Sequence, residues 1–430
     1  MNELMLILMA CWLAAILVGV PIHLAMALAG AAFVWLSGIP LLVVAQKIAM
    51  AANSFPLLAA PFFIFMGNVM NFSGVTTRMF RFATVMVGWM RGGLCQANII
   101  ASVIFAGMSG SAVADAGGLG TLEIKAMKDA GYPADLAAAV TAASATIGPI
   151  LPPSLPMIIY GVTAETSIGG LFLGAVVPGL LMALMLMLTA RHLAGRLSLP
   201  EHDFPGLREL WRAFVEAVWA LMTPVVLLGG IFSGIFTPTE AAVVAAAYAL
   251  LIGGLVYRDF SLRDLPAVIL DTVQTTGVVM ALVMTASLMA WTLSVARVPQ
   301  TIGLFLAGLA DNPLLLLFII NGALLVVGLF MEAIAAMLIL IPIFVPIALQ
   351  AGVDPIQLGV AFVLNLMIGT ITPPVGVVLF VTARIAGIGF ERLTVATLPF
   401  LWPLFLVLLL ILLIPGLTTW LPGLLLARGG

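Results

Sequence analysis

Chemistry is concentrated in three short stretches: GMSGSAVADAGGLG at 107–120, TIGPILPPS at 146–154 and GTITPPVGV at 369–377. The prolines of Pro152-Pro153 and Pro373-Pro374 have no backbone donor, and each pair disfavours helix in the residue before it. The preceding carbonyls, Gly148 to Leu151 and Gly369 to Thr372, are therefore turned away from helical bonding. Such carbonyls, with small hydroxyls such as Ser109, Ser111 and Thr372, make an oxygen-only ligand set that suits a hard monovalent cation, Na+ first among them. Half-helix N-termini at the same breaks present free amides to an anion. A proton-coupled device would instead string buried Asp, Glu or His into a relay. Asp115 and Glu332 are the only acids expected near the tips of the irregular regions, and two acids do not make a chain. Taken singly, each hydroxyl could merely satisfy a helix end; the repeated constellation points to a site.

The elements that must position these residues are membrane helices. Of 430 residues 63% are hydrophobic and only 8% are charged, whereas a soluble domain has roughly a quarter charged. With mean hydropathy +1.26 and pI near 5.9, this excludes a soluble enzyme, a nucleic-acid binder and a disordered scaffold. The fold class is an all-α polytopic membrane protein. Cys11 and Cys95 have no partner nearby, and His23, His192 and His202 are scattered, so no metal or disulfide framework is expected. The first apolar run lacks a basic leader and reads as an uncleaved helix.

Spans need about 20 apolar residues. Candidates are 4–20, 22–38, 54–73, 167–191, 215–235, 238–257, 267–295 and 397–415. Two further regions, 92–165 and 312–386, are interrupted by Gly, Ser and Pro. They are copies of each other: a shift of 221 aligns Ile147-Gly148-Pro-Ile150-Leu-Pro152-Pro153 with Ile368-Gly369-Thr-Ile371-Thr-Pro373-Pro374. The same shift pairs Gly107 with Gly328 and Gly131 with Gly352. The repeat covers roughly 20–191 and 238–415. If 92–130 and 312–350 are re-entrant hairpins and the N-terminus is outside, thirteen of the sixteen Lys and Arg residues fall on the cytoplasmic side, the bias such proteins show. An odd number of spans then separates the copies, so the repeat is inverted, with about ten spanning segments. Residues 75–91 and 297–311 fit interfacial amphipathic helices leading into the hairpins.

The expected organisation is scaffold helices over 1–75, an arm, hairpin, broken helix and span over 76–191, and a cytoplasmic loop over 192–214. The second copy follows as scaffold over 215–296 and transport half over 297–415, with a C-terminal tail over 416–430. An enzyme reading has one foothold: Gly107-Met-Ser109-Gly110 has the form of an intramembrane serine protease motif. That chemistry needs a histidine base beside the serine, and none of the three histidines is placed to serve.

GMSGSAVADAGGLGTLEIKAMKDAGY, TIGPILPPS and GTITPPVGVVLF, with GVPIHLAMALAG and FPLLAAPFFIFMGNVMNFSG, resemble the DctM-like large membrane subunit of tripartite ATP-independent periplasmic (TRAP) transporters. The resemblance covers nearly the whole chain. It implies a member of the ion-transporter superfamily, elevator-type, in which a hairpin-bearing unit moves against a scaffold. It implies a Na+ gradient as the driving force, with no cofactor, and import of carboxylate-bearing solutes such as C4-dicarboxylates, sialic acids or sugar and keto acids. The implied partners are a small four-helix membrane subunit, a periplasmic binding protein and the lipid bilayer, with no nucleic acid. The implied location is a bacterial inner membrane, with both termini expected to be periplasmic. Carried onto this chain, the resemblance implies a first Na+ site at Ser109, Ser111, Gly148, Leu151 and Pro153. The second would use Gly328, Gly369 and Thr372, and the substrate would face Ser111, Pro153, Thr370 and Pro374. Met331-Glu332 lacks the Ser-Gly-Ser of the first tip, so the two cation sites need not be equivalent. A stand-alone Na+/carboxylate symporter of the same superfamily is the alternative, and an intramembrane serine protease a remote one.

Overall fold

A computed structural model describes residues 3–197, 199–200, 203–302 and 312–426, whose regular structure is all helical, without strands among the described residues. The chain opens with α1 (Glu3–Leu17), α2 (Ile22–Leu36) and α3 (Leu42–Ala52). A single 3-10 turn then leads into α4 (Ala59–Phe72). Next come α5 (Val75–Val87), α6 (Gly93–Ser109), α7 (Ala112–Gly117), α8 (Leu119–Asp129), α9 (Ala134–Ala145), α10 (Leu155–Thr163) and the long α11 (Ile168–Leu197). The second half holds α12 (Leu207–Phe232), α13 (Pro238–Leu251), α14 (Leu265–Val295), α15 (Pro313–Gly328), α16 (Ala333–Gln350), α17 (Pro355–Thr370), α18 (Val377–Ala386), α19 (Phe390–Leu413) and α20 (Gly416–Leu426).

Helix starts follow side-chain capping. Ser111, Ser154, Asn312, Glu332 and Asp354 each accept a backbone amide from the first turn they open, which satisfies donors that have no partner inside the helix. Thr237 and Glu240 form a reciprocal capping box at the start of α13. Proline stands at the head of α13, α15 and α17, where its missing donor costs nothing.

Seven of these helices are long and apolar enough to cross a membrane: 55–72, 168–197, 207–232, 238–256, 265–295, 333–350 and 390–413. The expected spans at 4–20 and 22–38 are helices of fifteen residues each, about 22 Å long, because Gly19-Val-Pro21 and Gly38-Ile-Pro40 end them early. Of the expected tail over 416–430, residues 416–426 form α20, packed on α11; 427–430 lie outside the described residues. The second arm, expected over 297–311, is helical from 298 to 302; 303–311 lie outside the described residues.

The repeat is visible as matched geometry. A shift of 221 carries the starts of α7 and α9 onto those of α16 and α17. It carries Gly131 (φ 84°) onto Gly352 (φ 82°), and the cis bond Pro152-Pro153 onto the cis bond Pro373-Pro374. Contacts are reciprocal as well: α2 packs on α14 and α4 on α13, while α10 packs on α16 and α18 on α7. One difference is local. The second limb of the first hairpin breaks at Gly118 (φ −84°, ψ −84°), where Gly117-Gly118 supplies two poor helix formers; α16 runs unbroken.

Ion pairs join residues that the sequence places on one side of the membrane. Arg78 meets Asp259 at 2.7 Å, Arg81 meets Glu209 at 2.6 Å and also Glu216, and Arg392 meets Asp135 at 2.9 Å. Lys128 Nζ donates to the Ala386 carbonyl at 2.9 Å. Arm α5 thus lies against α12, with Val75, Met79, Phe80, Ala83 and Val87 buried beneath it.

Candidate functional site

The first hairpin turns at Gly110, in left-handed backbone at φ 57°, a conformation that glycine adopts without penalty. The turn is pressed onto the first proline break. A Cβ on Gly110 would lie 2.8 Å from the Pro153 carbonyl oxygen and 3.1 Å from the Leu155 nitrogen. Ser111 follows, half-buried, its Oγ accepting the Ala114 amide at 3.4 Å. Ser109 closes α6, and its side chain lies outside the described residues. Across the contact, Leu151 to Ser154 are all buried. Prolines at 152 and 153 remove the amides that the Gly148 and Pro149 carbonyls would otherwise accept. Pro149 O instead receives the Ser154 hydroxyl, while the Ile150 and Leu151 amides turn back to Ile147 O at 3.0 and 2.9 Å. The structure therefore sets the turn that precedes Ser111 against Pro153 and Leu155, while Gly148 and Leu151 lie on the break leading into Pro152-Pro153.

The second break is built the same way with a different contact. A Cβ on Gly369 would lie 2.6 Å from the Gly328 carbonyl oxygen, so α15 and α17 touch backbone to backbone at this point. Thr372 Oγ1 donates to Ile368 O and Thr370 Oγ1 to Met367 O, each at 2.6 Å. Thr370 is buried, Thr372 half-buried and Pro374 exposed. Gly107, the repeat mate of Gly328, does not face its own break; a Cβ there would meet Pro224 of α12 at 2.9 Å. Glu332, the repeat mate of Ser111, is exposed and caps α16 by accepting the Ala335 amide at 3.0 Å. It plays the structural part that Ser111 plays in the first half.

Helices α10 and α18, which leave the two breaks, pack on the hairpin of the opposite repeat. Both tips and both breaks thus belong to one packed unit. Beside it lies a cavity of about 480 Å³. One wall carries Ser54, Leu57 and Ser287, the other Glu165, Ile341 and Val345. It runs along the boundary expected between scaffold and transport halves. Its lining is mainly apolar and its one charged lining residue is acidic, a poor match to an anion.

A family model described as "Tripartite ATP-independent periplasmic transporter, DctM component" matches residues 9–417. The chain belongs to the DctM family of TRAP transporters. It is 44% identical to the sialic acid TRAP transporter large permease protein SiaM of Vibrio cholerae over 97% of this chain and 98% of that one. It is 40% identical to the 2,3-diketo-L-gulonate large permease YiaN of Escherichia coli over 96% and 97%. Against the C4-dicarboxylate large permease DctM of Vibrio cholerae it is 39% identical over 95% of each chain. The fold is similar to the crystal structure of the YdaH transporter of Alcanivorax borkumensis, at TM-score 0.65 and 16% identity over 88% of both chains. These relatives are permeases, which removes the protease reading. Of the histidines that reading required, His23 lies on α2 and His192 on α11, and His202 lies outside the described residues.

This DctM-family chain also carries a buried polar network that the sequence did not single out. Asn98 of α6 donates Nδ2 to Glu123 Oε2 at 2.7 Å and to Thr141 Oγ1 at 2.8 Å, and accepts the Ser144 hydroxyl on Oδ1 at 2.6 Å. Glu123 and Asn98 are fully buried. Asp115, also buried, has Ser102 within hydrogen-bonding reach. Its Oδ2 would lie 3.8 Å from a Cβ on Gly148. The second half has a smaller counterpart: Asn365, repeat mate of Ser144, donates to Asn321 O at 2.8 Å and to Asn321 Oδ1 at 3.0 Å. The available signal was a buried acid at 123 on a hairpin limb otherwise judged only by its tip.

Proposed function

We propose that the chain is the large permease of a Na+-coupled, binding-protein-dependent transporter that imports carboxylate-bearing organic anions. The observation that carries this reading is the paired contact of tip on break, Gly110 on Pro153 and Gly328 on Gly369. Irregular backbone at membrane depth is tolerated only where it is buried in protein or lines a watery cavity. Here each break offers carbonyls and hydroxyls and no basic side chain, the donor chemistry of a small cation. The first cation would be held by Ser109, Ser111, Gly148, Leu151 and Pro153, the second by Gly328, Gly369 and Thr372. Exposed Pro374 and half-buried Ser111 would meet the solute carboxylate, with Pro153 and Thr370 behind them. Relatives named for sialic acid, 2,3-diketo-L-gulonate and C4-dicarboxylates support an organic acid as cargo.

The unit built from 76–191 and 297–415 would move as an elevator against 1–75 and 215–296, and the cavity along that boundary supports the division. A small membrane subunit and a periplasmic binding protein would complete the transporter in the inner membrane, with the ion-paired face cytoplasmic and the termini periplasmic. Reconstitution tests this. Proteoliposomes holding the chain and its small subunit should take up solute only with binding protein and an inward Na+ gradient. Uptake by the chain alone would establish a stand-alone symporter instead. Uptake indifferent to Na+ would overturn the coupling.

A further inference from the structure

We propose that Glu123, with Asn98, Thr141 and Ser144, forms a binding position for a small monovalent cation inside the first hairpin, separate from the cation sites at the breaks. The inference rests on the Na+-coupled reading and extends it to residues that the tip-and-break scheme does not use.

Position comes first. Asn98 lies eleven residues before Ser109 on one continuous helix, which places it about 16 Å down α6 from the tip. Glu123 lies on α8, beyond the break at Gly118. On α6 the cluster therefore sits toward the base of the hairpin, below the contact of Gly110 on Pro153, with Ser144 four residues before Gly148.

Charge comes second. Glu123 is fully buried and Oε1 has no hydrogen-bond partner among the described residues, although Oε2 accepts from Asn98. Among the described residues its carboxyl forms no ion pair. An ionised carboxylate held this way, with nothing to balance it, is too costly to persist. Asp115 of α7 adds a second buried acid, its Oδ2 also without a partner. That group lies toward Gly148 and the first break, which leaves the position beside Glu123 as the one the tip-and-break scheme does not use.

Chemistry comes third. The groups around Glu123 are oxygens with lone pairs to spare: the Asn98 carboxamide, the Thr141 hydroxyl and the Ser144 hydroxyl. The hydroxyls already direct their protons elsewhere, Thr141 to Ala137 O at 2.8 Å and Ser144 to Asn98. Thr141 also accepts from Asn98 Nδ2 at 2.8 Å, which leaves it one lone pair. A single carboxylate with neutral oxygens balances one positive charge and suits Na+ better than a divalent ion. Asn98 fixes the carboxylate by donating to Oε2, which leaves Oε1 to the ion. Ser102 and Asp115 continue the polar file toward Gly148, so the same residues mark a route between the break and the base of the hairpin.

The test is equilibrium binding of 22Na+ to the purified chain together with Na+-driven uptake in proteoliposomes containing the partner subunits. Glu123→Gln preserves shape and hydrogen bonding and removes the charge. The expected result is one fewer Na+ bound per chain, or a tenfold or greater rise in the half-saturating Na+ concentration. Glu123→Asp should retain the ion more weakly. Ser144→Ala, which deletes one oxygen and no charge, should weaken binding if Glu123→Gln fails to fold. Unchanged Na+ binding in Glu123→Gln or Ser144→Ala would show Glu123 to be a protonated structural acid and overturn the proposal. If the wild-type chain binds no Na+ and its uptake ignores Na+, the coupled reading falls first and this site with it.

Discussion

A methyl group added to Gly369 would stand 2.6 Å from the carbonyl oxygen of Gly328. No side chain is available there to swing aside, because both surfaces are backbone. Gly369→Ala must therefore lift the second hairpin from its break. Na+-driven uptake should fall at least tenfold at equal protein level. Gly328→Ala should be milder, since its methyl would meet first the Leu366 Cδ2 atom at 3.3 Å, the end of a flexible side chain. Equal activity of Gly369→Ala and wild type would remove the tip-and-break contact from the mechanism.

Thr372 separates a cation ligand from a helix cap. Its hydroxyl donates to Ile368 O at 2.6 Å, and losing such a bond costs about 1 kcal/mol. Thr372→Val keeps the volume and should raise the half-saturating Na+ concentration for uptake about tenfold. Thr372→Ser should stay near wild type. A fall in melting temperature with no change in Na+ dependence would assign the hydroxyl to structure alone.

Arg81 fastens the arm to α12. It is partly exposed, as are Glu209 and Glu216, so the network is worth about 1 kcal/mol or less. A double-mutant cycle with Arg81→Gln and Glu209→Gln, read by thermal unfolding in detergent, should return a coupling of that size and lose it in high salt. The hydrogen bond to Glu209 leads the contacts that raise the arginine's pKa above its ordinary value. A raised pKa gives stability that is present below the unfolded value and lost only as pH climbs through the folded one. Both lie far into the alkaline range, so titration of Arg81 should give no pH dependence near neutrality.

Asn365 anchors the helix before the second break. Replacing it with alanine removes both bonds to Asn321 and leaves the buried Asn321 Oδ1 without its Asn365 donor, at a cost of about 1–3 kcal/mol. Asn365→Ala should therefore lower the melting temperature measurably while leaving the solute preference of residual uptake unchanged. A changed preference would move Asn365 into the solute site.

The breaks were legible in the sequence because their cause is local: a double proline acts on its immediate neighbours wherever the chain goes. The repeat was legible because both copies keep that signal at one offset. What the sequence hid depends on contacts between helices. Asn98 reaches Thr141 and Ser144 across more than forty residues, and nothing in the apolar run around it announces a partner. Gly107 and Gly328 match in register yet face different neighbours, because α12 lies against one hairpin and a broken helix against the other. Pro415 reads as a stop after the last span, but its carbonyl starts α20 by accepting the Thr418 and Thr419 amides.

The exchange of helices between repeats has a bearing on ancestry. Helix α10 rests on the hairpin of the second repeat, and α18 on that of the first. A half-length chain carrying one repeat would keep α10 on α11 and α4, and α6 on α5 and α9, but would lose the contacts that its post-break helix and hairpin make with the other repeat. The surface that completes it would exist only on another molecule of the same kind. The loop between α11 and α12 links the two halves, and halves separated at that loop should reassociate through these cross-repeat contacts when expressed together.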